Sequence, residues 1–489
     1  MAGSLKKQLL RWLMPLHRYL GLGLSLLMLL WFISGIVMMF HGYPRMADSE
    51  RLSALSTMET EKLAVPVEAA ASRLGLEAID GVRLNQPWDR PKLHVLSEHG
   101  WQSLYADSGE VVPPLDRVTL ESRLDEETAW VVRAIDRLER PDQWTLSAGF
   151  DAFRPLWRVS LADSVSTTLY FSEATGERVH QTTGSERGWA YAGAIVHWIY
   201  PTRLREMSGF WRQLVMWLAG LGLLACLSGL ILGLMMLKRR RRKGMSPYRG
   251  WMQWHHYLGL AFGVLVATWL LSGLLSLDPF RWASADRAPV SMDVTMGAPM
   301  SGSLGQWLAI EPAGVPERHA SSTREVKLWQ FMGRPYLLLS NESGERELWS
   351  ASESPSEMFL SRQQIREAAD GLPGMSLQGF HRQADYDHYY YPGRAARVRG
   401  EKPPLPVYRA EYDNGVHLYI FPKTGEVLRQ STPRRRLNRW LYNGLHSLDF
   451  PVLNPGSMGW YALVVVLMSG GALFSLTGVW FTVRYFKRK

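Results

Sequence analysis

The sequence predicts an α-helical membrane bundle of four transmembrane helices, built by internal duplication and carrying two exterior α+β regions. Three observations carry this reading. Four apolar segments exceed the ~18–20 residues needed to cross a bilayer. Acidic residues are confined to the two long stretches between those segments. The two halves of the 489-residue chain repeat one another at fixed offsets, which marks an internal duplication.

Taken in order, residues 1–40 hold a short basic N-terminus and the first helix. Its apolar run, about 13–40, is too long for a signal-peptide core and lacks a small-residue cleavage site, so it reads as an uncleaved anchor. Residues 41–209 form the first exterior region and end in an interfacial segment. The second helix spans 210–237, a basic loop 238–253 and the third helix 254–277. Residues 278–457 form the second exterior region with its own interfacial segment, and 458–489 hold the fourth helix and a basic tail.

Charge orients these elements. All 45 acidic residues lie within 40–210 or 277–458, whereas the N-terminus, the loop with Lys238-Arg239-Arg240-Arg241-Arg242-Lys243 and the C-terminus contain none. By the positive-inside rule these basic segments face the cytoplasm. Both termini are then cytoplasmic, and both large regions lie on the opposite face of the membrane. The basic run is a topology signal that also suits anionic membrane lipid. The exterior regions carry 18 basic against 25 acidic residues and 21 against 20, which argues against nucleic acid as a partner. The single cysteine, Cys226, excludes an intrachain disulfide and a Cys-x-x-Cys-His attachment site.

The duplication is detailed. His17-Arg18-Tyr19-Leu20-Gly21-Leu22 is answered by His255-His256-Tyr257-Leu258-Gly259-Leu260, and Trp31, Ser34 and Gly35 by Trp269, Ser272 and Gly273, at a shift of 238. His197, Trp211, Ser228 and Gly229 correspond to His446, Trp460, Thr477 and Gly478 at a shift of 249. Loops absorb the difference of 11. Within the exterior regions, Tyr105-Ala-Asp-Ser-Gly-Glu-Val, Tyr170-Phe-Ser-Glu-Ala-Thr-Gly-Glu-Arg-Val, Tyr336-Leu-Leu-Leu-Ser-Asn-Glu-Ser-Gly-Glu-Arg and Tyr419-Ile-Phe-Pro-Lys-Thr-Gly-Glu-Val each predict a hairpin with glycine at the turn. Helical patterns over Glu61–Leu74 and Leu360–Ala369 precede two of them. The result is four small α+β units.

These hairpins resemble those of PepSY domains. With the four spans, the His-x-Tyr-Leu-Gly-Leu phrase and Arg439-Trp440-Leu441-Tyr442-Asn443-Gly444-Leu445-His446-Ser447-Leu448-Asp449-Phe450-Pro451, the chain resembles the PepSY-associated transmembrane family over nearly its whole length. Members of that family include inner-membrane ferric-siderophore reductases with two b-type haems. The resemblance implies a multi-pass protein of the bacterial inner membrane with its large regions periplasmic, two non-covalent haem b groups and a ferric-siderophore or other ferric chelate as acceptor.

The histidines fit that implication. His17 and His255 each follow a basic residue, Arg11 or Arg249, by six positions, about 9 Å of helix, so they share one depth. A histidine inside an apolar helix is costly without a partner. Two at one depth suit axial ligation of a single haem, with His256 as an alternative to His255 and Arg18 as a partner for a haem carboxylate. His197 and His446 lie near the other face, in aromatic stretches 189–200 and 437–450 that are too short to span and are followed by Pro201 and Pro451. They form the second ligand pair, with His41 as an alternative.

Outside the membrane, His381, Asp385, Asp387 and His388 form a polar cluster whose residue types suit ferric iron; a loop leading into a strand, with its tyrosines packed on the sheet, is the favoured reading of them. No nucleotide- or flavin-binding glycine motif occurs, and the cytoplasmic segments are too short to fold a donor domain. The electron donor is therefore membrane quinol or a separate reductase. A rival reading makes the chain a membrane-anchored PepSY binding or regulatory protein, acting in peptidase inhibition or on an envelope protein, without redox activity.

Overall fold

The computed structural model describes residues 2–58, 70, 72–126, 130–237, 246–282, 295–299, 302–303, 322–350, 358–393, 396–397 and 400–488. The basic run Lys238–Lys243 lies outside them, as does most of the helix predicted over Glu61–Leu74, of which Ala70, Ser72 and Arg73 are helical.

Among the described residues, four helical spans are long and apolar enough to cross a membrane: Leu10–Phe40 within the helix Ala2–Phe40, Ser208–Leu237, Trp251–Ser276 and Met458–Phe486. Ser457 caps the last, its hydroxyl accepting from the Trp460 amide at 3.2 Å. The first and third helices each pack against both the second and the fourth, so they oppose one another across a square bundle. Phe32 and Trp269 meet at its centre with ring centroids 5.4 Å apart. Small residues permit the close approach: a Cβ on Gly471 would come within 2.6 Å of the Phe32 ring.

Before each even-numbered span the chain makes the same hairpin. Thr183 and Thr432 cap short helices that pass through a π-helical turn, Tyr191–Ile195 or Arg439–Gly444. Each then adds one further turn, Val196–Trp198 or Leu445–Ser447. A left-handed residue, Ile199 or Leu448, ends it. The indoles of Trp211 and Trp460 donate to the carbonyls of Ile199 and Leu448, both at 2.9 Å, and tie each hairpin to the span that follows. Apolar stretches of this length suit the interfacial placement predicted from sequence.

The exterior regions are sheets. The first contains β1 (Ala78–Ile79), β2 (Gly81–Asn85), β3 (Lys92–Ser97) and β4 (Gly100–Tyr105), then β5 (Val132–Leu138), β6 (Leu156–Leu161), β7 (Thr168–Ser172) and β8 (Arg178–Thr182). The second contains β9 (Ala298–Pro299), β10 (Gly302–Ser303), β11 (Thr323–Phe331), β12 (Arg334–Asn341) and β13 (Arg346–Ser350), then β14 (Leu377–Gln383), β15 (Val407–Tyr412), β16 (His417–Ile420) and β17 (Val427–Ser431). Strands β5–β8 and β14–β17 form two matching antiparallel meanders. The predicted helix near 360–369 forms as Arg362–Asp370, capped by Ser361, and buries Ile365, Ala368 and Ala369 on one face.

The remaining strands do not stay in separate units. Seven of them join in one sheet of order β13-β12-β11-β2-β3-β4, with β9 on β11, through antiparallel pairing of β2 with β11, and β1 pairs with β10 in a two-stranded ribbon. At this seam two buried carboxylates meet. Arg51 grips Glu325 with two bonds of 2.8 and 2.9 Å, and Arg83 pairs with Glu177. Asn85 donates to Glu177 at 2.7 Å and to Glu325 at 3.3 Å. Burial alone would raise both carboxyls, but the surrounding cations hold them below the usual carboxylate range. Lys92, the first residue of β3 in the same sheet, is pushed down to about 8 by burial. Burial likewise pushes His94 down to about 3; it bonds Asn85 Oδ1 through Nε2 at 2.8 Å and Ser103 Oγ through Nδ1 at 2.7 Å.

Candidate functional site: two histidine pairs in the bundle

Four of the sequence-predicted histidines come together as two pairs. His17 on the first span faces His255 on the third, with ring centroids 6.0 Å apart. His197 and His446, each on the last turn of its hairpin helix, also stand 6.0 Å apart. Each pair takes one imidazole from each half of the chain. Along the first span His17 is 17 residues from Ser34, which contacts His197, and His255 is 17 from Ser272, which contacts His446. The pairs are thus separated by about 25 Å along the helix axes.

Every imidazole is oriented by the same chemistry. His17 Nδ1 lies 2.9 Å from the Ala225 carbonyl, which can only accept, so Nδ1 carries the proton. His255 Nδ1 lies 2.7 Å from Thr477 Oγ1, whose own proton goes to the Phe474 carbonyl at 2.6 Å. That hydroxyl must accept from the imidazole. Ser34 donates to the Leu30 carbonyl at 2.6 Å and accepts from His197 Nδ1 at 3.1 Å, which also reaches the Trp31 carbonyl at 3.1 Å. Ser272 donates to the Trp269 carbonyl at 3.0 Å and accepts from His446 Nδ1 at 3.1 Å. The helical habit of Ser and Thr, bonding back to a carbonyl one turn earlier, sets the tautomer of His255, His197 and His446, and the Ala225 carbonyl sets the same one in His17. The lone pair falls on Nε2, and a protonated second nitrogen held by a carbonyl or hydroxyl is the usual arrangement of a metal-ligating histidine.

The spacing admits a metal between the rings. Two bonds of ~2.0–2.1 Å plus ~1.1 Å from nitrogen to ring centre on either side place the centroids roughly 6.2–6.4 Å apart. The observed 6.0 Å is within the ~0.2 Å tolerance of that range. Around the His17–His255 pair lies a cavity of about 1160 Å³, with Gly21, Gly229 and Gly259 in its wall. Phe474 stacks on His255 at 5.0 Å and Phe481 meets it edge-on at 5.7 Å. Between the two pairs the bundle is filled by apolar side chains, including Met28, Phe32, Val266, Trp269 and Leu270.

The alternative residues are occupied differently. His256 is buried, with Nδ1 2.9 Å from Ser246 Oγ and Nε2 donating to the Gly233 carbonyl at 3.0 Å, so both nitrogens are committed to packing the third span. His41 stacks face to face on Trp189 at 4.3 Å, with an indole and not an imidazole opposite it. Arg18 lines the cavity beside His17 and lies over the Tyr485 ring at 5.3 Å.

The cluster of His381, Asp385, Asp387 and His388 does not assemble as a ferric centre. Among the described residues, no three of His, Cys, Asp and Glu converge to hold a metal ion. Asp387 is a structural knot instead. One oxygen accepts from the Tyr389 and Tyr390 amides at 2.7 and 2.6 Å; the other accepts from the Tyr419 hydroxyl at 2.8 Å and lies 3.4 Å from Arg409. Asp142 does the same in the first half, accepting from the Trp144 and Thr145 amides and the Tyr170 hydroxyl, with Arg158 at 3.6 Å. His381 lies on an exposed strand and His388 packs against Trp440.

A family model for the PepSY-associated TM region matches residues 14–327. The chain belongs to this family. It is a membrane protein, and the PepSY-associated TM match takes in three of the four paired histidines and the first three spans. His446 and the fourth span lie beyond the matched residues and enter the site through the internal duplication. No curated protein matches the chain. Sequence reasoning found the paired histidines but assigned no role to Ser34, Ser272 and Thr477. Their signal was present, since all three stood among the residues that keep register between the halves.

Proposed function

We propose that this protein carries electrons across the bacterial inner membrane, using two b-type haems held by His17 with His255 and by His197 with His446. The supporting observation is the doubled geometry: two cross-half imidazole pairs at one spacing, each ring fixed through Nδ1. When bound, a bis-imidazole haem supplies a reversible one-electron couple. The residues of the chain do the rest. Ala225, Thr477, Ser34 and Ser272 hold each imidazole in the neutral tautomer that presents Nε2. The apolar core between the pairs excludes water, so an electron crosses a dry, low-reorganisation interior.

Direction follows from charge. The basic, acid-free end holds the His17–His255 pair and faces the cytoplasm, where quinol or a separate reductase delivers electrons. The sheets face the periplasm, where a ferric siderophore or another ferric chelate accepts them and releases its iron. Purified protein is expected to be red, with a Soret band and α bands that sharpen on dithionite, and to contain two haems per chain. Protein that stays colourless after haem supplementation would favour a membrane-anchored binding role for the sheets instead.

A further inference from the structure

The cavity beside the His17–His255 pair contains more positive charge than topology requires. Four arginines line it: Arg18 on the first span, Arg249 just before the third, and Arg484 and Arg488 at the end of the fourth. No aspartate or glutamate lines it, and every acidic residue of the chain lies between Asp48 and Asp449, far along the sequence from the segments at this end. None of the four makes an ion pair among the described residues. Arg18 and Arg484 are instead placed by aromatic rings, at 5.3 Å from Tyr485 and 4.9 Å from Trp480, contacts that orient a guanidinium without neutralising it.

The His197–His446 pair is surrounded differently. Arg397 and Arg439 lie 3.4 and 3.9 Å from Asp449, and Arg212 is spent on the carbonyls of Leu277 and Asp278 at the end of the third span. Asp449 supplies a carboxylate beside Arg397 and Arg439, although Arg439 Nη1 and Arg205 Nε are buried without a hydrogen-bond partner. Among the described residues, no carboxylate stands beside the arginines of the inner cavity. Guanidinium groups match carboxylates in geometry as well as charge.

Resting on the haem reading above, we infer that Arg18, Arg249 and Arg484 form a dicarboxylate clamp at the inner site. The clamp holds the tetrapyrrole with its two carboxylates toward the basic end and makes this site, which has no counterpart of Asp449 in its lining, select a dianionic macrocycle. Anionic lipid phosphate is the other ligand such arginines attract, and the experiment separates the two.

Haem-free protein in zwitterionic nanodiscs is titrated with haem and with haem dimethyl ester, for the wild type and for an Arg18→Gln/Arg484→Gln variant. Soret absorbance and a redox titration are the readouts. The wild type should take up haem at both pairs but bind the diester at the inner pair at least tenfold more weakly. The double variant should show the same loss for haem itself, a lowered inner midpoint potential and an unchanged outer haem, which also reports that the variant is folded. Arg249→Gln alone should move the inner affinity in the same direction. If the variant binds haem at the inner pair as the wild type does, or the diester binds as tightly as haem, the clamp is wrong and the arginines serve lipid or topology. If neither pair takes up haem, the haem reading falls and the clamp with it.

Discussion

Gly229→Ala tests how finely the inner pair is built. Gly229 lies on the second span directly behind His17. A Cβ there would collide with Cε1 of the imidazole and stand 2.7 Å from Nδ1 and 3.3 Å from Nε2. Ordinary contact begins at 3.4 Å, so the ring must retreat by 3.4 − 2.7 = 0.7 Å at Nδ1. That exceeds the ~0.2 Å tolerance of a metal–ligand distance several-fold. It also breaks the 2.9 Å bond to the Ala225 carbonyl. Loss of such an orienting partner typically weakens metal affinity about 10–100-fold. The backbone does not oppose the change, because alanine favours a helix over glycine by about 1 kcal/mol. Haem content by pyridine haemochrome and a redox titration should fall from two centres toward one, with the outer centre unaltered. Gly220→Ala, on the same span but outside the cavity wall, is the control, since a Cβ there meets nothing within 4 Å. A Gly229→Ala protein with two haems at wild-type potentials would refute the claim that His17 is held against this glycine as a ligand.

Other expectations follow the same geometry. Thr477→Val keeps the shape but removes the acceptor of His255 Nδ1, and should weaken the inner haem roughly tenfold and shift its potential. The rings are tilted by 46° in the inner pair and 72° in the outer. Frozen oxidised protein should therefore give two distinct low-spin EPR signals, the outer more anisotropic; a single signal for both centres would contradict the described ring planes. Asp387→Asn should loosen the β14–β17 meander by about 1–3 kcal/mol, seen as faster hydrogen exchange, with iron content unchanged. His94 is neutral in the fold down to about pH 3, whereas an unfolded histidine takes a proton near 6.5. The unfolded chain thus binds more protons between those values, and stability falls as pH drops through that window, by about 3 kcal/mol between pH 7 and 4. Hydrogen exchange of β3 against pH measures it, and a flat profile would count against a buried neutral His94.

Much of this architecture is written in plain patterns. Apolar length marks the four spans, and repeated phrases mark His17, His255, His197 and His446 because a duplication preserves positions whose chemistry is shared. Two features were not legible. The seam between β2 and β11 joins strands more than 200 residues apart, and the partners of Glu177 and Glu325 are fixed only by that pairing. Asp387 was misleading for the opposite reason. An Asp beside a His suggests a metal ligand, but its role is set by Tyr419 and Arg409 from neighbouring strands and is recognisable mainly because Asp142 repeats it with Tyr170 and Arg158. The roles of Ser34, Ser272 and Thr477 needed the bundle itself, since each hydroxyl reaches a histidine on a different element.

That every histidine pair draws one ring from each half bears on how such a chain could have arisen. A single half, with one copy of each histidine and only one side of the β2–β11 seam, has neither site complete. Two identical halves related by a twofold axis would have both, because a twofold axis carries any residue on it into contact with its own copy. The ancestor implied by this arrangement is a homodimer of roughly half-length chains, functional only when assembled. Fusion then removed the dependence on concentration and released the two copies to diverge. Arg484, which stands where the first half has Met235, is one place where they have done so.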